Sequence, residues 1–179
     1  MKKLMVIATF LVACITTNAQ VYIGGSLGFE TSKRSEDTDN LTTWSVIPEI
    51  GYKINNLYSV GLQLGYVSQE LYKDNKSESF IVSPYTRLTF IKSGFARFFI
   101  DCGATYTAYA DDKDEDSNEF TWGVGIRPGV IFAASEKVNF VAKLGYLGYS
   151  KNSDDLGGGS EFGLSIDNTD LSFGVFYNF

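Results

Sequence analysis

Apolar and polar residues alternate with a period of two over eight stretches, residues 21–31, 42–54, 57–70, 80–91, 95–109, 119–133, 138–150 and 169–179. In the second stretch the apolar positions are Trp44, Val46, Pro48, Ile50, Tyr52 and Ile54, and in the third Tyr58, Val60, Leu62, Leu64 and Tyr66. The sixth carries Phe120, Trp122, Val124, Ile126, Pro128, Val130 and Phe132, and the last Leu171, Phe173, Val175, Tyr177 and Phe179. None of these positions is charged, in a chain that is 20% charged. The opposite parity holds Glu30, Glu49, Lys53, Arg87, Arg97, Asp101, Arg127 and Lys143. Successive residues of a strand point to opposite faces, so the pattern predicts eight strands, each with one apolar face.

The connections alternate in length. Residues 32–41, 71–79, 110–118 and 151–168 read as long polar loops, whereas Asn55-Asn56, Lys92-Ser93-Gly94 and Ala134–Lys137 read as tight turns. Tight turns imply antiparallel pairing of sequential strands, and long loops at one end with short turns at the other are the pattern of transmembrane barrels. A barrel can be apolar inside or outside. The polar parity decides, because it is rich in glycine: Gly24, Gly28, Gly61, Gly65, Gly103, Gly123, Gly125, Gly129, Gly145 and Gly174. A solvated sheet face favours larger residues, whereas the narrow lumen of an eight-stranded barrel needs small ones. Aromatics also stand at both ends of the apolar strands, as in Trp44 and Tyr52, Tyr58 and Tyr66, Phe80 and Phe90, and Phe98 and Tyr106. Eight to ten residues rising about 3.3 Å each and tilted ~40° span roughly 20–25 Å, the height of an apolar band between two aromatic girdles. The expected fold is therefore all-β, an eight-stranded antiparallel up-and-down transmembrane β-barrel with its apolar face to lipid. Pro48, Pro84 and Pro128 lie at similar heights on alternate strands, and their regular placement predicts bulges at one level of the barrel.

The first residues add a location. Lys2 and Lys3 precede an apolar run, Leu4–Ala13, and Thr17-Asn18-Ala19 follows. This is the order of a secretory signal, too short to span a bilayer. Residues 1–19 are read as a signal peptide and 20–179 as the barrel domain, with no further domain expected after Phe179. A competing reading makes Leu11-Val12-Ala13-Cys14 a lipobox with Cys14 lipidated; cleavage after Ala19 is preferred because Gln20-Val21 leads directly into the first strand. Cys102 would then be the only cysteine and a plain apolar residue. Loss of the leader takes the net charge from −6 to −8 by removing Lys2 and Lys3. An acidic chain without a basic cluster argues against a nucleic-acid partner.

Segment 44–66, Trp-Ser-Val-Ile-Pro-Glu-Ile-Gly-Tyr followed by Leu-Tyr-Ser-Val-Gly-Leu-Gln-Leu-Gly-Tyr, resembles the repeated hairpin of the bacterial outer-membrane β-barrel domain family, small barrels of the OmpA/OmpX kind. The ending Leu171–Phe179 resembles the C-terminal strand of that family, whose last aromatic is read by the barrel-assembly machinery. The resemblance implies the bacterial outer membrane, contact with outer-membrane lipids and assembly through Phe179. It implies no activity. Barrels of this kind that transfer palmitate or deacylate lipid A rely on histidine, and this chain has no His. With no imidazole to serve as general base, no enzyme, cofactor or metal is expected.

Two sets of residues invite a site. Asp112, Asp114 and Asp116 have the opening spacing of a calcium loop, but Ser117 stands where Gly is required and Gly123 where Glu is required, so a solvated loop tip is the better reading. The lumen charges are more informative. Counting from the short turns brings Glu49, Gln63, Arg87, Asp101, Arg127 and Lys143 to about one height, with Asp101 near Arg127 and Gln63 between Glu49 and Arg87. Buried charges must pair, so a salt-bridged plug is expected, in an interior shared with Tyr85, Phe99 and Phe176. The expected function is a non-enzymatic outer-membrane barrel with a structural or surface-contact role and an unidentified surface partner. The alternatives are a narrow pore for small solutes and a soluble or lipid-anchored ligand-binding barrel.

Overall fold

A computed structural model describes residues 20–32, 41–72, 75–111, 119–165 and 172–179. Five long strands follow in order: β1 (Val21–Ser32), β2 (Leu41–Lys53), β3 (Tyr58–Tyr72), β4 (Asn75–Ser93) and β5 (Ala96–Asp111). They continue into β6 (Phe120–Ala133), β7 (Val138–Lys143), β8 (Tyr146–Asn152), β9 (Ser160–Ser165) and β10 (Ser172–Asn178). Each of β1 to β6 pairs antiparallel with its neighbour in sequence. β6 then pairs with both β7 and β8, which together fill the seventh position. β9 on β8 and β10 on β7 fill the eighth, and β10 closes the barrel against β1. The fold is a closed, eight-stranded antiparallel β-barrel.

Exposure is inverted relative to a water-soluble protein. Leu64, Phe80, Phe140 and Phe173 are exposed, whereas Glu49, Arg87, Asp101 and Lys143 are buried. This inside-out pattern suits a bilayer, which solvates apolar side chains and not charges. The outward aromatics form two girdles. Tyr66 packs between Trp44 and Phe80 with ring centroids 5.2 and 5.3 Å away, and Tyr106–Phe120 and Trp122–Tyr149 continue the band. At the other end Phe95 packs on Phe132, and Tyr177 on Phe179.

The short turns are fixed by their own side chains. Asn55 Oδ1 accepts from the backbone N–H of Leu57 and Tyr58 at 2.8 and 2.9 Å. Ser135 Oγ does the same for Lys137 and Val138. Gly94, at φ 55°, and Phe95 join β4 to β5 in two residues.

Several expectations are corrected. Residues 71–79 are not a long loop: β3 and β4 pair out to Tyr72↔Asn75. Nor are residues 151–165 a loop throughout, because a turn with a short 3-10 helix (Asp154–Leu156) leads into β9; residues 166–168 lie outside the described residues. The prolines do not mark three bulges. Pro48 and Pro84 sit in unshifted register, and the ladder toward the next strand simply omits Ile47-Pro48 and Ser83-Pro84, where each proline lacks a donor. At Pro128 the register does slip. Gly129 pairs with Lys143 but Ile126 with Leu147, leaving an extra residue between β7 and β8. Gly145 takes up the slip at φ 66°, a backbone conformation costly for other residues. Alternation therefore reverses there, and Tyr146 joins the lumen instead of the lipid face. Residues 1–19, with both readings of Cys14, and residues 112–118 of the acidic loop lie outside the described residues.

Candidate functional site

The lumen is filled by aromatic rings laid across glycines. Tyr22 stands opposite Gly51, Tyr85 opposite Gly61, Phe99 opposite Gly129 and Phe176 opposite Gly24. A Cβ on any of these glycines would strike the facing ring. The glycine-rich parity is thus a set of slots for four buried rings.

Those rings enclose a belt of charges. Glu49 is its hub. It accepts from Gln63 Nε2 at 2.9 Å, Arg87 Nη2 at 2.9 Å, Lys143 Nζ at 2.7 Å and the Tyr85 hydroxyl. Asp101 receives Arg87 Nε and Nη2 at 2.7 and 2.8 Å, and Lys143 Nζ stands 3.7 Å from its carboxylate. Two carboxylates and two cations therefore form a neutral quartet crossing the lumen. Its members are 2–6% exposed, so pairing is obligatory in energetic terms. The Arg87 guanidinium lies 4.1 Å from the Phe99 ring centroid and within 5.7 Å of those of Tyr85, Phe176 and Tyr22. The Tyr22 hydroxyl is 2.6 Å from that of Tyr85, which extends the network toward the short turns.

Of the six residues expected at one height, Glu49, Gln63, Arg87, Asp101 and Lys143 come together. Glu49 pairs in register with Gln63, Arg87 with Asp101, and Asp101 with Arg127. Arg127 nevertheless stays out of the belt. Both Asp101 oxygens are taken by Arg87, and Arg127 instead lies 5.6 Å from the Tyr146 ring centroid with its Nε buried and without a hydrogen-bond partner. Gln63 does not separate Glu49 from Arg87. Arg87 lies opposite Ser59, nearer the short turns, and reaches Glu49 directly. The hydroxyls of Tyr22 and Tyr85 were not anticipated. Their available signal is a tyrosine on the glycine-rich parity with a glycine across the strand pair.

Cavities flank the belt. On the long-loop side a space of about 30 Å³ lies between Gln63, Tyr85, Asp101 and Arg127. On the short-turn side a space of about 140 Å³ opens below Arg87 and Tyr22.

The family model for the outer membrane protein beta-barrel domain matches residues 5–179. Among solved structures, that of Neisserial surface protein A shares the fold with a TM-score of 0.57 at 15% sequence identity, over 90% of this chain and 98% of that one. No curated protein matches the chain.

Proposed function

The chain belongs to the outer membrane protein beta-barrel domain family, and on that premise we propose that it is a non-enzymatic, non-conducting barrel of the bacterial outer membrane, acting in envelope structure or through contacts made by its surface loops. The observation that carries this reading is the neutral quartet Glu49–Arg87–Asp101–Lys143 spanning the lumen, backed by the rings of Tyr22, Tyr85, Phe99 and Phe176. A conducting path would have to part buried charges held at hydrogen-bond distance. The signal peptide ending at Ala19 delivers the chain to the periplasm, the C-terminal strand ending in Phe179 engages the barrel-assembly machinery, and outer-membrane lipids contact the apolar face. The short turns face the periplasm and the long connections the exterior. The exposed apolar belt argues against a soluble ligand-binding barrel. Planar-bilayer recording tests the closed lumen: the expected outcome is no steady conductance from the wild type. A stable open conductance, unchanged in Asp101→Ala, would move the narrow pore for small solutes to first place.

A further inference from the structure

The quartet balances its own charge; the short-turn mouth below it does not. The cavity of about 140 Å³ there is lined by Lys53, Lys92 and Arg97 and by the amides of Asn55, Asn56, Asn139 and Asn178, and no carboxylate among the described residues lines it. Lys53 and Arg97 are half-buried. Lys53 Nζ donates to Asn178 Oδ1 at 2.5 Å and Arg97 Nη2 to Asn139 Oδ1 at 2.7 Å, so each cation is met by a neutral oxygen. A guanidinium has five N–H donors and an ammonium three, which leaves most of this donor capacity for a further ligand. Arg87, also at the cavity wall, is already neutralised by Glu49 and Asp101. Half-buried cations whose protein partners are neutral amides favour an anion beside them.

We propose that this mouth is a binding site for a phosphate-class oxyanion. A guanidinium fork beside ammonium groups suits the several tetrahedral oxygens of a phosphoryl group, in a monoester, a diester or the free ion, better than a planar monocarboxylate. The same phosphate group could be presented by a free small solute or by a phospholipid headgroup. The site meets the quartet only at Arg87, and its test does not rest on whether the lumen conducts.

The test uses the folded barrel in a phosphate-free maltoside detergent, with folding of every variant verified by the heat-modifiability gel shift. Binding of inorganic phosphate is followed by equilibrium dialysis and by the phosphorus NMR line width, with dihexanoyl-phosphatidylglycerol below its micelle concentration as the second arm. The expected result is saturable binding of one phosphate per barrel, weakened about tenfold or more in Lys53→Gln/Arg97→Gln and unchanged in Arg127→Gln. Binding of the short-chain lipid alone, with the same sensitivity to Lys53→Gln/Arg97→Gln, upholds the site and assigns the headgroup as its source. A rise in the urea midpoint with added phosphate that is present in the wild type and lost in Lys53→Gln/Arg97→Gln supports the site, since the general salting effect of phosphate would act on both alike. Binding of neither probe to the wild type, or binding indifferent to Lys53→Gln/Arg97→Gln, overturns the proposal.

Discussion

Replacing Asp101 by Ala removes one carboxylate from a quartet that is otherwise neutral. Arg87 then loses the acceptor of its Nε and one of the two acceptors of its Nη2, and Lys143 loses its second counter-charge. Glu49 remains, so two cations share one carboxylate. Arg87 is 2% exposed and Lys143 5%, so water compensates little. Stranding one partner of a buried pair costs about 3–5 kcal/mol; the surviving Glu49 contacts place the expectation near the lower end. Asp101→Asn, which keeps an acceptor oxygen, should lose less. Arg87→Met/Asp101→Leu removes a cation and an anion together and leaves Glu49 with Lys143, so it should recover much of the loss. Urea unfolding from phospholipid vesicles, followed through the fluorescence of Trp44 and Trp122, measures each variant, and the singles Arg87→Met and Asp101→Leu complete the double-mutant cycle. If Asp101→Ala unfolds within about 0.5 kcal/mol of the wild type, the size of an ordinary surface change, the charges are hydrated and the belt does not bind the lumen together.

Leu64→Arg, on the exposed apolar face, should lower the stability of the inserted barrel by about 2–4 kcal/mol if the position is near the midplane; the vesicle urea titration measures it, and wild-type stability would refute the lipid-facing assignment. Gly61→Ala should cost about 1–3 kcal/mol through overpacking, because its Cβ strikes the Tyr85 ring and drives the hydroxyl away from Glu49; added to a Tyr85→Ala background, the same Gly61→Ala change should cost little in the same titration. Epitope tags inserted at Asp114 and at Ser135 should be labelled on whole cells at Asp114 only, and labelling at Ser135 alone would invert the orientation.

The lipid and lumen faces were legible in the chain because side-chain direction repeats every two residues, so a charge or a glycine on one parity declares its face. Counting from the short turns also brought the lumen charges to about one height, and pairing by loop centres set Asp101 near Arg127. Of the pairs Glu49–Gln63 and Asp101–Arg127, only the first stands across a tight turn, Asn55-Asn56, that fixes its register. What alternation cannot encode is contact across the lumen. Asp101 has two arginines as strand neighbours, and the choice of Arg87 depends on the ring box of Phe99, Tyr85, Phe176 and Tyr22 that holds it. The reversal after Gly145 was hidden because a one-residue slip leaves the composition of the strand unchanged. Residues 71–72 and 75–79 read as loop because polar composition there masks strand ends that need no apolar face beyond the bilayer. In 160–165 a signal was present, Phe162 and Leu164 alternating and both exposed, but three consecutive glycines at 157–159 obscured it.

The quartet is assembled from parts of very different reach along the chain. Arg87 and Asp101 are 14 residues apart, on a hairpin closed by Gly94 and Phe95, so this neutral pair can form as soon as β4 meets β5. Glu49 and Lys143 are 94 residues apart and meet only when β7 has taken its place. The local half is thus available early in assembly, while the distant half is a latch that closes late. Late contacts of this kind, absent from the transition state, retard opening more than they speed closing. On that order of assembly, the Glu49–Lys143 contact would act on the rate at which the barrel opens more than on the rate at which it closes.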